Sequence, residues 1–334
     1  MANIRDVARL SGHSVSTVSR ALNHRGYIAA ATRAEILAAA KELNYQRNDL
    51  ARALSIGKAN QVGVILPYIN HPYFQKLADA ITDIAFMQGY QVSLLPTNYS
   101  ENQERQYLDM LKHHKFDGII FTSRSLSFHD ILPYRDYGPI VCCEDTFDYP
   151  LASVFPNRAE SLVHAFQTLK RCGLTHVGVT VSRNEQVSQS AKLTLQAYAM
   201  VYGPGLSDQL IFRETKNLFD GISAAEQFVH ADPKLQVIFA NGDEIAAGAQ
   251  RQLAQMGQTA LVVGQENLPV SFLMDFSTID HQLTSIGDTA FELLFKTPLT
   301  KRQITGKMIL RGPLKQLAAQ QTLPNSKVDR LIET

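Results

Sequence analysis

From Val62 onward the chain alternates short apolar runs with helical segments, and this alternation limits the possible folds more than any other feature. "VGVILP" (62–67), "YQVSLLPT" (90–97), "DGIIFTS" (117–123) and "PIVCCE" (139–144) read as buried strands. "FQKLADAITDIAFMQG" (74–89) and "ENQERQYLDMLKHHK" (101–115) read as helices between them. A second series follows, with helices over 159–172, 189–202, 221–230 and 243–256 and strands over 176–181, 209–212, 237–240 and 260–264. Parallel strands need a crossover, and a helix supplies it, so the pattern predicts an α/β fold with parallel, doubly wound sheets. Two series predict two lobes with a cleft between them. Ligands of such sheets sit beyond the carboxyl ends of the strands.

The front of the chain has a different texture. Asn3 and Asp6 form a capping-box start to "IRDVARLS", whose apolar face is Ile4, Val7 and Ala8 with Leu10 added. Gly12 breaks the pattern and Ser14 caps "VSTVSRALN". There Val18 and Leu22 are four apart and face inward, while Val15, Ser16, Ser19 and Arg20 fall largely on the other face. Thr32 and Glu35 read as a second capping box before "ILAAAKELNY". Two short helices joined by a glycine-containing turn, then a third, make a helix-turn-helix pattern. "NDLARALSIGKANQ" (48–61) holds one or two helical turns, too short to be stable alone in water.

Charge divides along the same line. The net charge is only +1, but residues 1–60 hold nine Lys/Arg against four Asp/Glu, and the remainder 23 against 27. A basic head on a slightly acidic body predicts a phosphate-binding head. At 334 residues the chain exceeds one compact core. Its three cysteines, Cys142, Cys143 and Cys172, have neither a metal spacing nor the even count of a disulfide framework. No apolar run reaches the ~18 residues of a membrane span, and charged Arg5, Asp6 and Arg9 interrupt any signal-peptide pattern. A cytoplasmic, reduced setting is expected. No G-x-S-x-G, GxGxxG, Walker A, H-E-x-x-H or Cys/His cluster occurs, so no enzyme, catalytic residue, metal or cofactor is expected.

"DVARLSGHSVSTVSRALN" (6–23), "TRAEILAAAKELNYQRN" (32–48) and "LARALS" (50–55) together resemble the lactose-repressor (LacI/GalR) family of bacterial transcription regulators. The elements "DVA", "S..TVSR.LN", "TR..I...A.ELNY..N" and "A..L" stand in the family's order and spacing. The resemblance implies a helix-turn-helix head over 1–46, a hinge helix and linker over 47–61, and a body of two lobes like those of periplasmic binding proteins over 62–320. A tail over 321–334 would follow. Leu323, Val328 and Leu331 are too few, and too interrupted by Pro324, to build a coiled coil there. The implied DNA-contacting residues begin with Val15 and Ser16 at the start of the recognition helix. Arg20, one turn on, would reach a base edge or phosphate. Ser14, Thr17, Ser19, Asn23 and Tyr45 match positions that touch the DNA backbone or orient the helix. Asn48 to Leu54 matches the hinge helix, with Leu54 as the wedge that enters a minor-groove step. His13 and Arg47 depart from the family's usual apolar residue and proline.

In the cleft the resemblance implies effector contacts from Tyr73 and Phe74 at the end of the first strand, Asp243 in "NGDEIA", and Glu266 in "VVGQEN", where relatives usually carry aspartate. Asp243 also reads as a helix cap. Relatives carry an arginine at the position of Thr194. Lys192 lies two residues earlier, about 200° around a helix, and is no simple substitute. Pro156 also stands where many relatives have aspartate. The expected function is a sequence-specific regulator, a repressor of carbohydrate utilisation. It would bind a palindromic operator as a homodimer under control of a small-molecule effector, a sugar or sugar derivative. The alternatives are control by a protein corepressor, or a solute-binding protein without transcriptional role.

Overall fold

The computed structural model describes residues 2–23, 26–45, 58–296 and 299–322. Asn48, Leu54, Arg47 and the tail over 323–334 lie outside the described residues. The chain divides into two compact units, within 1–59 and 60–334.

The first unit holds α1 (Ile4–Ser11), α2 (Val15–Leu22) and α3 (Ala30–Glu42). Asn3 and Asp6 make the reciprocal capping box, and Gly12 closes α1 in the left-handed region at φ 69°. Val7, Ala8, Val18, Ala21, Ile36 and Ala39 form the core, with Ile4, Leu22 and Tyr45 packed against it. Two details differ from expectation. Leu10 is 47% exposed, because it lies on the far side of Val7 from Ile4 and Ala8, at the margin of the apolar stripe. Thr32 and Glu35 make no capping box: α3 begins earlier, at Ala30, with no side-chain cap. The alanine-rich "AAATRA" favours helix ahead of Thr32. Glu35 instead meets His13 across the turn, Oε2 to Nε2 at 2.8 Å.

The second unit contains two six-stranded sheets. The first lobe orders its strands β11-β5-β4-β3-β1-β2: β1 (Gln61–Leu66), β2 (Gln91–Pro96), β3 (Gly118–Phe121), β4 (Ile140–Cys142), β5 (Ala152–Pro156) and β11 (Lys301–Ile304). The second orders them β12-β10-β9-β8-β6-β7: β6 (Val177–Thr180), β7 (Ile211–Phe212), β8 (Val237–Phe239), β9 (Leu261–Gln265), β10 (Ser277–Asp280) and β12 (Lys307–Ile309). All pairings are parallel except β10 with β12. The helices between them are α4 (Pro72–Met87), α5 (Glu101–Lys112), α6 (Phe128–Ile131), α7 (Arg158–Arg171), α8 (Gln189–Tyr202), α9 (Leu218–Ala231), α10 (Asp243–Gln255), α11 (Pro269–Leu273), α12 (Leu283–Leu293) and α13 (Gly312–Thr322). The inner strands are near-continuously buried because helices cover both faces, which is why β1 reads as an unbroken apolar run.

The lobes are not two successive halves of the chain. It passes between them three times, at 156–158, 280–283 and 304–307. Helix α12 returns to the first lobe and packs on α4, where Gly287 is so close that a Cβ would stand 2.6 Å from Ala80 Cβ. Asn157 N donates to Ile304 O at 2.7 Å, tying two of the crossings together. Among the described residues, no helix is long and apolar enough to cross a membrane.

Candidate functional sites

In the head, the buried Val18 and Ala21 fix which side of α2 faces the core and so which side is presented outward. Ser14, Val15, Ser16 and Arg20 are exposed, Val15 by 42% despite being apolar. Ser14 Oγ accepts from Thr17 N at 3.2 Å and lies 2.8 Å from Thr17 Oγ1 and 3.0 Å from Ser16 Oγ. This hydroxyl cluster caps α2 and gathers donors at its first turn. At the other end Asn23 Nδ2 donates to Ser19 O at 2.8 Å and to Ser19 Oγ at 3.3 Å. Arg20 has no ion pair among the described residues, so its guanidinium is uncommitted. Tyr45 packs on the head core and its N–H bonds Ala40 O at 2.8 Å.

In the body a cavity of about 1190 Å³ lies at the carboxyl ends of both sheets and is lined from both lobes. Tyr73, Phe74, Lys192, Thr194 and Glu266 all line it; Asp243 does not. Phe74 also belongs to the first lobe's core, and its ring meets Tyr73 edge-on at 5.1 Å. Thr194 is buried and donates to Ser190 O at 2.9 Å, so its hydroxyl is used within α8. Lys192 is exposed at the rim.

Glu266 follows β9 with φ 96°, in the left-handed region, and Asn267 continues there at φ 50°. Glu266 is 5% exposed, and its carboxyl makes no hydrogen bond among the described residues. Burial, then the neighbouring Asp243 charge, pushes it well above the usual carboxylate range, against the pull of Arg158. Asp243 does not cap α10, whose N-cap is Gly242. Its carboxylate is fully buried and accepts from Thr278 Oγ1 and Leu268 N, both at 2.6 Å. Burial pushes it up to about 6, against those bonds. Asp243 therefore holds the 266–268 turn from behind, and Gly264 is required beside it, since a Cβ there would meet Asp243 Oδ1 at 2.1 Å.

Four basic or imidazole groups were not read from the sequence. Arg124 stacks over Phe128 at 3.5 Å and lies 3.2 Å from Glu144 Oε1. Burial pushes the Glu144 carboxyl up to about 7, with Arg124 opposing. Arg183, from the second lobe, lies 3.9 Å over the Tyr99 ring of the first. Arg158 lies 5.2 Å over Tyr73, again across the lobes. Its Nη1 is 3.1 Å from Nε2 of His281, which is fully buried at the second crossing. The strand-end rule was enough to find Arg183, two residues past the "HVGVTV" run. His281 gave no signal, because the 277–280 strand that leads to it was not legible.

A helix-turn-helix head joined to a two-lobed α/β body with an inter-lobe cavity defines a ligand-responsive DNA-binding regulator. The family model for bacterial regulatory proteins of the lacI family matches residues 3–48, and that for periplasmic binding proteins and the sugar binding domain of the LacI family matches 59–308. The chain is 38% identical over 296 residues to catabolite control protein B of Bacillus subtilis (strain 168), covering 89% of this chain and 95% of that protein. It is 28% identical over 338 residues to the ribose operon repressor of Halalkalibacterium halodurans, covering 94% and 98%. In fold it is similar to the lac repressor dimer bound to operator and the anti-inducer ONPF, with TM-score 0.78, 20% identity and 93% and 98% coverage. The chain belongs to the LacI family. It is a DNA-binding transcriptional regulator, not an enzyme.

Proposed function

We propose that the protein represses a carbohydrate-utilisation operon in the cytoplasm, binding a palindromic operator as a homodimer whose affinity is set by a sugar or sugar derivative in the cleft. The observation that carries the reading is the outward face of α2, where Ser14, Val15, Ser16 and Arg20 are exposed over a core built by Val18 and Ala21. Small residues allow close approach to a major groove, and a guanidinium suits guanine O6 and N7. Ser19, Thr17, Asn23 and Tyr45 orient that face or bond phosphate oxygens. Asn48 and Leu54 belong to the hinge that enters the minor groove.

One helix reads only a few base pairs, so genomic specificity requires two half-sites and two copies. Exposed Phe86 and Met87 on α4, with Phe219, Phe272 and Leu273 on the second lobe, supply apolar surface for a second copy to cover. In the cleft, aromatic faces at Tyr73 and Phe74, polar groups at Glu266 and Lys192, and the Thr194 oxygen as an acceptor suit a polyhydroxylated ring. Asp243 supports the turn that carries Glu266. The names of the ribose and sucrose operon repressors among the relatives favour a carbohydrate. The test is operator binding by native protein and Glu266→Ala against a panel of neutral and phosphorylated sugars. The variant should bind operator like the native chain yet lose the response. A native protein indifferent to the whole panel overturns the carbohydrate reading.

A further inference from the structure

His281 sits where the chain crosses from the second lobe back to the first, one residue past β10 and one before the left-handed Gln282 (φ 57°) that starts α12. The ring is fully buried. Its Nε2 has two neighbours at hydrogen-bond distance: Arg158 Nη1 at 3.1 Å and Gln265 Oε1 at 3.0 Å. These demand opposite things. A guanidinium N–H always donates, so Arg158 requires a bare Nε2. The Gln265 oxygen accepts, so it requires a protonated Nε2. Turning the Gln265 amide over does not resolve the conflict, because its Nε2 is donating to Ala240 O at 3.1 Å.

The second ring nitrogen, Nδ1, is buried and has no hydrogen-bond partner among the described residues. It faces Gly306 at the third crossing, where an added Cβ would come within 3.5 Å of Nδ1 and 2.7 Å of Ser161 Oγ. Burial, with Arg158 second, holds the ring neutral, so it carries one proton and serves one of the two partners at a time. The charged donor makes the stronger bond. With Arg158 in place, the proton is on Nδ1 and Gln265 is left short.

We propose that His281 is a positioning residue that holds Arg158 at the lobe junction and exchanges it for Gln265 when Arg158 is drawn into the cleft, so that occupancy of the cleft is registered at the crossing between the lobes. Arg158 lines the cavity, close to the Tyr73 ring and the unpartnered Glu266 carboxyl. A ligand oxygen that engages it frees Nε2. The proton then passes from Nδ1 to Nε2 through water, with no change of ring charge. The Nε2–H bonds Gln265, the residue directly before Glu266, and Nδ1 no longer carries a buried, unpaired N–H. The two arrangements differ in which bond His281 makes, and the difference falls on the 280–283 crossing. This inference rests on the reading that the cleft binds an effector, but its test uses neither effector nor DNA, so either can fail while the other stands.

The experiment is ¹⁵N NMR of the histidine rings in the full-length, ligand-free protein, with His281 assigned by His281→Gln. The native ring should show the Nδ1–H tautomer, with Nε2 as the bare nitrogen. In Arg158→Met the tautomer should invert. Amide exchange across 280–284 should change several-fold in Arg158→Met. The same substitution in a His281→Gln background should change it little, because a glutamine amide offers an acceptor and a donor to the two partners at once. A native Nε2–H tautomer, a tautomer unmoved by Arg158→Met, or equal exchange effects in both backgrounds overturns the proposal.

Discussion

The Lys76 ammonium on α4 of the first lobe donates to the backbone carbonyl of Glu266 in the second at 2.9 Å, and lies 3.4 Å from that of Asn267. It reaches these carbonyls because the 266–267 turn is in the left-handed region, which points its oxygens out of the β9 ladder. The same turn presents the Glu266 carboxyl to the cavity. One lysine therefore links the arrangement of the lobes to the geometry of the candidate site. Lys76→Met should remove a charge-assisted bond worth about 1–3 kcal/mol to this arrangement. Small-angle scattering of ligand-free protein should show a more open body, while thermal melting of each lobe changes little. Identical scattering would remove Lys76 from this role.

The buried Asp243 sets a pH dependence. Its folded value of about 6 is above the ordinary 3.8, so the fold binds the proton more tightly than the unfolded chain does. The resulting stabilisation is present at low pH and is lost as pH rises through about 6. Between pH 5 and 7.5 the native protein should lose about 1–2 kcal/mol relative to Asp243→Asn. Urea denaturation of both proteins at the two pH values measures this. A constant difference, or one of opposite sign, contradicts it.

His281 acts in the other direction. Its folded value is held well below 6.5 by burial, so the unfolded chain takes up the proton first. Stability present above pH 6.5 should fall as pH drops below it, and His281→Gln should remove that part of the acid loss. Denaturation midpoints from pH 7.5 to 5.5 check the sign, and equal acid loss in the variant would exclude His281 as the cause.

Helices α9 and α10 pack at backbone distance. A Cβ on Gly248 would stand 2.0 Å from Leu218 O, and one on Gly221 would stand 2.1 Å from Ile245 O. Carbonyls in helices have no room to retreat, so Gly248→Ala should destabilise the second lobe by about 1–3 kcal/mol or more. A melting temperature equal to native would show that the helices can separate freely.

The architecture was legible where periodicity is strong. Long α4 and α10 and the unbroken apolar β1 and β9 announce themselves, and the Asn3–Asp6 box marks its helix start to the residue. The three crossings were not legible. Strand β10 has only four residues, and local patterning states that an element is buried without stating in which sheet. The same gap hid His281 and the true office of Asp243, whose partner Thr278 lies on the unread strand. The Thr32–Glu35 reading failed because alanine propensity started α3 ahead of the motif. The cleft residues read from the first strand end, Tyr73 and Phe74, do line the cavity, since strand ends are fixed by the alternation itself.

Arg20 separates base reading from phosphate contact. Its guanidinium stands exposed, one turn along α2 from Ser16. Arg20→Ala should cost about 1–3 kcal/mol on operator and relax selection at one base position per half-site. Equal loss on operator and random duplex would make it a phosphate contact.

Operator recognition by a dimer is tested most directly by selection with the full-length protein from a random duplex pool, followed by titration of the winning sequence against salt. The selected sequence should be an inverted repeat of two half-sites, bound by two copies, with affinity falling steeply as salt rises because the head carries the excess positive charge. An enriched single, asymmetric half-site, or no enrichment over random duplex, would contradict it.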